Sequence, residues 1–583
     1  MSRIAGLVVL VVLMALVAAF PAGAQVPAPP KTPTAEGWGG SAATVDPLAT
    51  QAAIDVLRSG GNAVDAAVAA AGVLGVVEPF SCGIGGGGFM VIYDAKRHRV
   101  DTIDSREVAP ADLEPTAFAG LQATSQFTEA YVSGLSVGVP GTVAGWEKAL
   151  KRYGSRSLRS LLRPGRRIAD EGFVVDQTFN GQVESNKEIF DDFTSTRDLY
   201  LPGGAPTPVD KVQANPDLAE TYRRIGKDPD RFYTGGIARD IARTVQQPPL
   251  RPGAVRTAVP GSMTTRDLAG YRAIQRKPTK VDYRGLEVYG MGPPSSGGST
   301  VGEALNILEE APNWETLPTT QRYHWFLEAS RLAFADRGAF LGDPGFSDIP
   351  LDGLLSQQFA AERAALIDPA RAQTVVVGPG EPAGSASRST THLTVADADG
   401  MVVAYTFTIE STGGNGIVVP GWGFLLNNEL TDFDFTKTGL PNSAGPGKRP
   451  RSSIAPTIVQ RDGIPVLALG SPGGSTIITT VLQILLERFD LGKSLPQAIF
   501  APRASQRNGT DTKTEAEQAF IDSPAGQELA GPFGHLFKTP ALTPPVNGQI
   551  GAATGIEFRS RNRLLAAAEA VRRGGGSAQV VRP

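Results

Sequence analysis

Arg388-Ser389-Thr390-Thr391-His392-Leu393-Thr394-Val395 is the stretch on which the reading of this chain turns. A flexible segment gives way there to a β-strand, and a hydroxyl residue stands at the junction. Upstream, residues 378–389 are rich in Gly, Pro and Ser and read as exposed loop. Downstream, Leu393 to Thr408 alternates in strand fashion around Asp399-Gly400, a strong hairpin-turn signal. A cut before Thr390 leaves a new chain that begins with a threonine at the head of a sheet. That placement suits an N-terminal nucleophile, whose hydroxyl attacks while the freed α-amine of the same residue takes its proton. With a pKa of about 7.7–8.0, an α-amine serves as general base near neutral pH without a histidine. Taken alone, the cluster reads better as an ordinary Ser/Thr-rich junction between loop and strand, so the rest of the chain carries the decision.

The chain has 583 residues, 41% of them hydrophobic, enough for a large buried core. Its 55 basic and 58 acidic residues give a formal charge of −3 with no long like-charge run, which points away from nucleic acid or an anionic membrane as partner. Residues 1–24 read as a secretory signal peptide: Arg3, an apolar run from Ile4 to Phe20, and Ala22-Gly23-Ala24 as a small-residue cleavage site. An uncleaved membrane anchor is the rival reading, since the run approaches spanning length; Pro21 and the A-x-A pattern favour removal, leaving a mature chain without a stable membrane span. Residues 25–37 are Pro-rich and read as disordered. Cys82 is the single cysteine, so an exported chain rests on its core rather than on internal disulfides.

Asp46-Pro47 reads as an N-cap and N1 proline opening a helix that stops at Gly60-Gly61, and Asn62 opens a second, Ala/Val-rich helix to about Val77. Cys82-Gly83-Ile84-Gly85-Gly86-Gly87-Gly88-Phe89 contains the letters of a dinucleotide fingerprint, but a helix precedes it and Phe89 to Tyr93 is strand-like. The order is reversed from what nucleotide binding needs, so these glycines read as close backbone packing. Residues 140–245 are mostly helical in pattern, Tyr283 to Met291 reads as a strand, and helices follow from Thr300 and over Thr320 to Arg337. A second hairpin flanks Asp462-Gly463 and runs into Ser471-Pro472-Gly473-Gly474-Ser475 and a helix over Thr476 to Arg488. Backbone N–H groups at that glycine turn face negative charge at a helix start, or mark a tight turn only.

Taken together these motifs resemble the γ-glutamyltransferase (γ-glutamyltranspeptidase, glutathione hydrolase) family. The resemblance runs through Ser59 to Ala66, Gly83 to Met90, Asp104-Ser105-Arg106-Glu107, Gly138 to Gly145, Pro293 to Gly298, Thr390-Thr391-His392, Leu425 to Glu429, Arg449 to Ser453 and Gly470 to Gly474. It is weakest from about Asn508 to Phe537. It implies an α+β N-terminal-nucleophile hydrolase fold, a four-layer αββα sandwich formed jointly by a large subunit (38–389) and a small subunit (390–583). The cut between Ser389 and Thr390 is autocatalytic in such a proenzyme.

The resemblance further implies Thr390 as nucleophile, Thr408 as the hydroxyl that orients it, and Gly473 and Gly474 as the oxyanion hole. Arg106, Ser452 and Ser453 then hold the glutamyl α-carboxylate, and Glu410, Glu429 and Asp432 its α-ammonium. Many members carry Asn and Gln at the first two of those acidic positions and some bacterial members carry Glu at both, so the resemblance implies the more acidic version of the pocket. The implied substrates are glutathione and other γ-glutamyl compounds, with water, amino acids or peptides as acceptors, and the implied location is periplasmic or extracellular. No cofactor or metal is called for: the four histidines, His98, His324, His392 and His535, lack metal spacing, and His392 reads as a structural strand residue. A related acylase or amidohydrolase with another acyl substrate, and an inactive exported binding protein, are the alternatives. The connection from Asp434 to Arg451 is shorter than in members with a closing lid loop, which implies a glutamyl pocket open on one side.

Overall fold

A computed structural model describes residues 29–119, 121, 130–378, 390–435, 438–540 and 547–583. The signal-peptide segment and Ser389 lie outside the described residues. The strands of the main sheet are β1 (Thr34–Thr44), β2 (Gly87–Asp94), β3 (Arg99–Asp104), β4 (Ile274–Arg276), β5 (Thr279–Tyr283), β6 (Leu286–Gly290), β7 (Thr391–Asp397), β8 (Val402–Thr408), β9 (Thr457–Arg461), β10 (Ile464–Gly470), β11 (Thr554–Arg559), β12 (Arg563–Ala568) and β13 (Ser577–Arg582). They run in the order β4-β3-β2-β8-β7-β1-β12-β11-β10-β9-β6-β5, with β13 also on β1.

Strand β1 is the fold line. Its first residues pair with β12, Thr34 opposite Ala567, while Gly40 to Ala43 pair with β7. The sheet curls there into two stacked layers, and helices cover both outer faces. Alternation along β2 separates the layers: Met90 and Ile92 pack with helices α1 (Pro47–Arg58) and α2 (Ala63–Val77), while Phe89, Val91 and Tyr93 share a core with Val288, Ile458 and Leu469 of the second layer. Helices α4 (Gly297–Glu309), α5 (Thr319–Phe340) and α6 (Thr476–Leu485) close the far side, after α3 (Thr142–Tyr153) on the first. This is the four-layer sandwich.

Local chemistry explains the elements that frame the site. Asp46 accepts from the N–H groups of Leu48 and Ala49, and Asn62 with Asp65 forms a capping box. All 15 residues of α2 are buried, which its Ala, Gly and Val side chains permit. The first hairpin turns on Asp397, whose carboxylate accepts from Asp399 N and Met401 N at 3.0 Å and from Ala63 N at 2.9 Å. One side chain thus fixes the turn and ties it to the start of α2.

Three boundaries differ from the sequence reading. Thr34 to Gly37, expected within a disordered segment, are strand residues because β12 supplies their hydrogen-bond partners. Tyr283 ends β5, and a turn at Arg284-Gly285, both at positive φ, separates it from β6. The helix after Gly474 is regular to Leu485 and then widens to a π-turn over Leu486–Asp490.

His392 is wedged inside this frame. Its Nδ1 lies 2.6 Å from Thr406 Oγ1 and its Nε2 3.1 Å from Thr394 Oγ1, and a Cβ on Gly470 would stand 2.4 Å from the ring. With the imidazole pinned by two hydroxyls, neither group can yield. Gly470→Ala is therefore expected to lower stability by about 1–3 kcal/mol, read as a lower denaturation midpoint at unchanged denaturant slope.

Candidate active site

Thr390 sits at the entrance to β7. Extending the β7–β8 register, in which Thr391 faces Phe407 and His392 faces Thr406, sets Thr390 opposite Thr408. The hydroxyls lie 3.4 Å apart, with Thr390 Oγ1 donating, and Thr408 Oγ1 also accepts from Glu410 N at 2.8 Å. Thr390 is 3% and Thr408 2% exposed, so the pair is shielded from bulk water. The glycine run makes this approach possible: a Cβ on Gly86 would stand 1.9 Å from Thr408 O, and one on Gly85 the same distance from Leu425 O. These glycines pack backbone on backbone, and no phosphate cradle is formed there.

Arg106 follows β3, is fully buried, and is anchored by its own main chain, its N–H donating to Asp104 Oδ1 at 2.8 Å. Its guanidinium donates to the carbonyls of Pro450 (3.1 Å) and Arg451 (3.2 Å), and forms ion pairs with Glu429 and Asp432. Asn427 places Glu429: its Oδ1 accepts from Glu429 N and Gly138 N, and its Nδ2 donates to Gly85 O and Gly138 O. Glu410 stands at φ 80°, in the left-handed region, and receives a hydrogen bond from the Ser411 hydroxyl. A side chain held there costs on the order of 1 kcal/mol, which its neighbours must offset.

Ser452 Oγ accepts from Ile454 N at 3.1 Å, leaving its own proton to donate, and Ser453 Oγ accepts from Arg337 at 2.7 Å. Gly473 (φ 137°) and Gly474 (φ 60°) make the turn before α6, and neither N–H donates to an acceptor among the described residues. The geometry suits them to receive an oxyanion. Arg106, Thr390, Thr408, Glu410, Glu429, Asp432, Ser452, Ser453 and Gly474 line a single cavity of about 20 Å³. It is narrow because Arg106 reaches across to Glu429 and Asp432. Beyond Asp432, Asn442 Nδ2 donates to Asp432 O at 2.8 Å, and Phe435 stacks on Phe118.

Three further residues join this site without having been singled out in the sequence. Arg573, at φ 52° near the end of the chain, donates to Thr390 O at 2.9 Å. Arg337, late in α5, bridges Ser296 and Ser453. Glu107 is buried beside the Arg106 guanidinium at 3.9 Å, and burial, then the charge of Glu429, pushes its carboxyl well above the usual range. Its place in the Asp104-Ser105-Arg106-Glu107 motif was the available clue.

His392 lies behind the threonine pair, and burial pushes its imidazole down from 6.5 to about 3. It is neutral in the folded chain and basic when unfolded. The stability this contributes is complete above pH 6.5 and is lost as pH falls toward 3, with a slope of up to about 1.4 kcal/mol per pH unit. Denaturation across that window should show a shallower pH slope in His392→Asn than in the wild type.

Residues 49–580 match the family model described as gamma-glutamyltranspeptidase. The glutathione hydrolase proenzyme of Bacillus subtilis is 40% identical over 491 residues, covering 80% of each chain. The Acylase ACY 1 proenzyme of a Pseudomonas species is 34% identical over 543 residues, covering 92% of each. Among solved structures, cephalosporin acylase from Bacillus halodurans superposes with a TM-score of 0.82 at 28% identity, covering 95% of this chain and 98% of that one. The curled two-layer sheet, the threonine at its mouth and this likeness along nearly the whole chain agree: the protein belongs to the gamma-glutamyltranspeptidase family, with the N-terminal-nucleophile hydrolase fold.

Proposed function

We propose that the chain is an exported proenzyme that cuts itself between Ser389 and Thr390 and then transfers γ-glutamyl groups from glutathione and related compounds to water, amino acids or peptides. The observation that carries this reading is one cavity joining a hydroxyl nucleophile, an unpaired N–H turn and a buried arginine with acids. In the uncut chain, Thr390 Oγ attacks the Ser389 carbonyl, shifting the acyl group from nitrogen to oxygen, and water hydrolyses the ester. The freed α-amine then takes the Thr390 hydroxyl proton as Oγ attacks a γ-glutamyl carbonyl. Gly473 and Gly474 N–H groups receive the oxyanion, and collapse expels the amine with that proton. Water or an acceptor amine attacks the glutamyl ester and restores the threonine.

Recognition follows from an exchange of ion pairs. Arg106 holds Glu429 and Asp432 until an α-carboxylate replaces them, and the released acids, with Glu410, pair with the α-ammonium. Every buried charge thereby keeps a partner, which avoids the several kcal/mol an unpaired one costs. A second reading, an acylase for another acyl group, draws on the similarity to two acylases. Turnover of a glutaryl anilide, which lacks the α-ammonium, at or above the rate of the γ-glutamyl anilide would favour it.

Expressed protein should resolve into two fragments, the smaller with Thr390 at its N-terminus, while Thr390→Ala remains one chain. Intact, active wild type with no new N-terminus would contradict the mechanism. Arg106→Lys should process normally but lose roughly 2–5 kcal/mol of transition-state binding, because an ammonium cannot reproduce the bidentate fork. The readout is kcat/KM on a γ-glutamyl anilide, falling by about thirtyfold or more.

A further inference from the structure

Two adjacent arginines between β12 and β13 meet opposite surroundings. Arg572 is buried and pairs with Glu517 at 2.5 Å and with Glu569 at 3.0 Å. Arg573 makes no ion pair among the described residues, and its Nη1 donates to Thr390 O at 2.9 Å. The acid whose field reaches its guanidinium is Glu78, at the end of α2. Burial, then the charges of Asp176 and Asp46, push the Glu78 carboxyl up to about 8 against the pull of Lys31 and Arg573. At neutral pH Glu78 is therefore mostly uncharged and leaves the Arg573 charge uncompensated.

The backbone fixes this placement. Arg573 stands at φ 52°, in the left-handed region that a side chain adopts only when its neighbours hold it there. Its N–H donates to Gln549 Oε1 at 3.2 Å, its carbonyl accepts from Thr178 Oγ1 at 3.3 Å, and the next carbonyl, of Gly574, accepts from Lys31 Nζ at 2.9 Å. Thr178 and Lys31 precede the proposed cut and Arg573 follows it, so residues of both segments aim the guanidinium at Thr390.

We propose that Arg573 is a positioning residue for the nucleophile: it fixes the Thr390 carbonyl and sets an unpaired positive charge beside the α-amine of the same residue, which favours the amine's neutral, proton-accepting form. The inference rests on the N-terminal-nucleophile part of the reading above. A carbonyl oxygen and the nitrogen of one residue are about 3 Å apart. The guanidinium thus lies within roughly 6 Å of the amine, where a like charge disfavours the protonated form. The acids on the pocket side act the opposite way: Glu410, Glu429 and Asp432 line the same cavity, the last two paired with Arg106. Thr408 carries no charge, and His392, behind the pair, is neutral near pH 7. Arg573 offsets an acidic pocket that otherwise holds the amine protonated and unable to take the hydroxyl proton.

The test is the pH profile of kcat/KM on a γ-glutamyl anilide for wild type, Arg573→Gln and Arg573→Lys, beside a titration of the Thr390 α-amine in the processed proteins, by pH-dependent acetylation of that N-terminus read by mass spectrometry. Gln keeps a donor for the carbonyl and removes the charge; Lys keeps the charge. Arg573→Gln should move the acid limb and the amine titration up by about one pH unit, a roughly tenfold loss of kcat/KM below the limb that vanishes above it, while Arg573→Lys keeps the wild-type limb. A loss of equal size at every pH, with limb and amine unmoved, marks a merely structural contact and overturns the assignment. Wild type alone supplies a check should Arg573→Gln fail to fold: its amine should titrate no higher than the free value of about 7.7–8.0 despite the acids in its cavity, and a higher value overturns the assignment. Wild type with a free Thr390 N-terminus but no turnover of the γ-glutamyl donor overturns the γ-glutamyl reading instead, and the amine titration still decides the role of Arg573.

Discussion

The register between β7 and β8 is the constraint on which the site depends. Side chains alternate between sheet faces, so a slip of one residue would turn Thr390 away from Thr408 and carry every buried group of β7 to the wrong side. Several independent contacts forbid that slip. Asp397 binds the turn to α2, His392 is wedged between Thr406, Thr394 and Gly470, and β2 pairs along β8 as far as Gly87 opposite Thr408. Packing between the two sheets thus sets the hydroxyl geometry at the strand mouth. Because β1 precedes the proposed cut while β7, β12 and β13 follow it, separating the two segments would leave them interlocked.

The second principle is charge balance without water. Arg106 is buried beside Glu107, Glu429 and Asp432, an arrangement that would be costly if any of them stood alone. Glu107 relieves part of it by favouring its protonated form. In the proposed reading a zwitterionic amino-acid head group takes over these pairs, its carboxylate on Arg106 and its ammonium on the released acids.

Much of this was legible in the sequence because local signals and family motifs coincided. Asp46-Pro47 and Asn62 capped their helices, Asp462-Gly463 turned its hairpin with both residues at positive φ, and the glycine run announced close backbone contact. The lined cavity gathered the anticipated side chains with Gly474. What escaped depends on contacts distant in sequence. Thr34 to Gly37 take strand form from a partner more than 500 residues away, Arg573 reaches back 183 residues to Thr390, and Arg106 narrows the pocket by pairing with two of its acids. No periodicity or turn code reports such pairings.

The account's central claim is that a single threonine carries the acyl group. Rapid acid quenching of processed enzyme during turnover of a γ-glutamyl donor, followed by mass spectrometry of its fragments, tests it most directly. The account predicts one added glutamyl group on the fragment that begins at Thr390, mapping to that residue and disappearing when the donor is exhausted. A glutamyl adduct on a different residue during active turnover would contradict it.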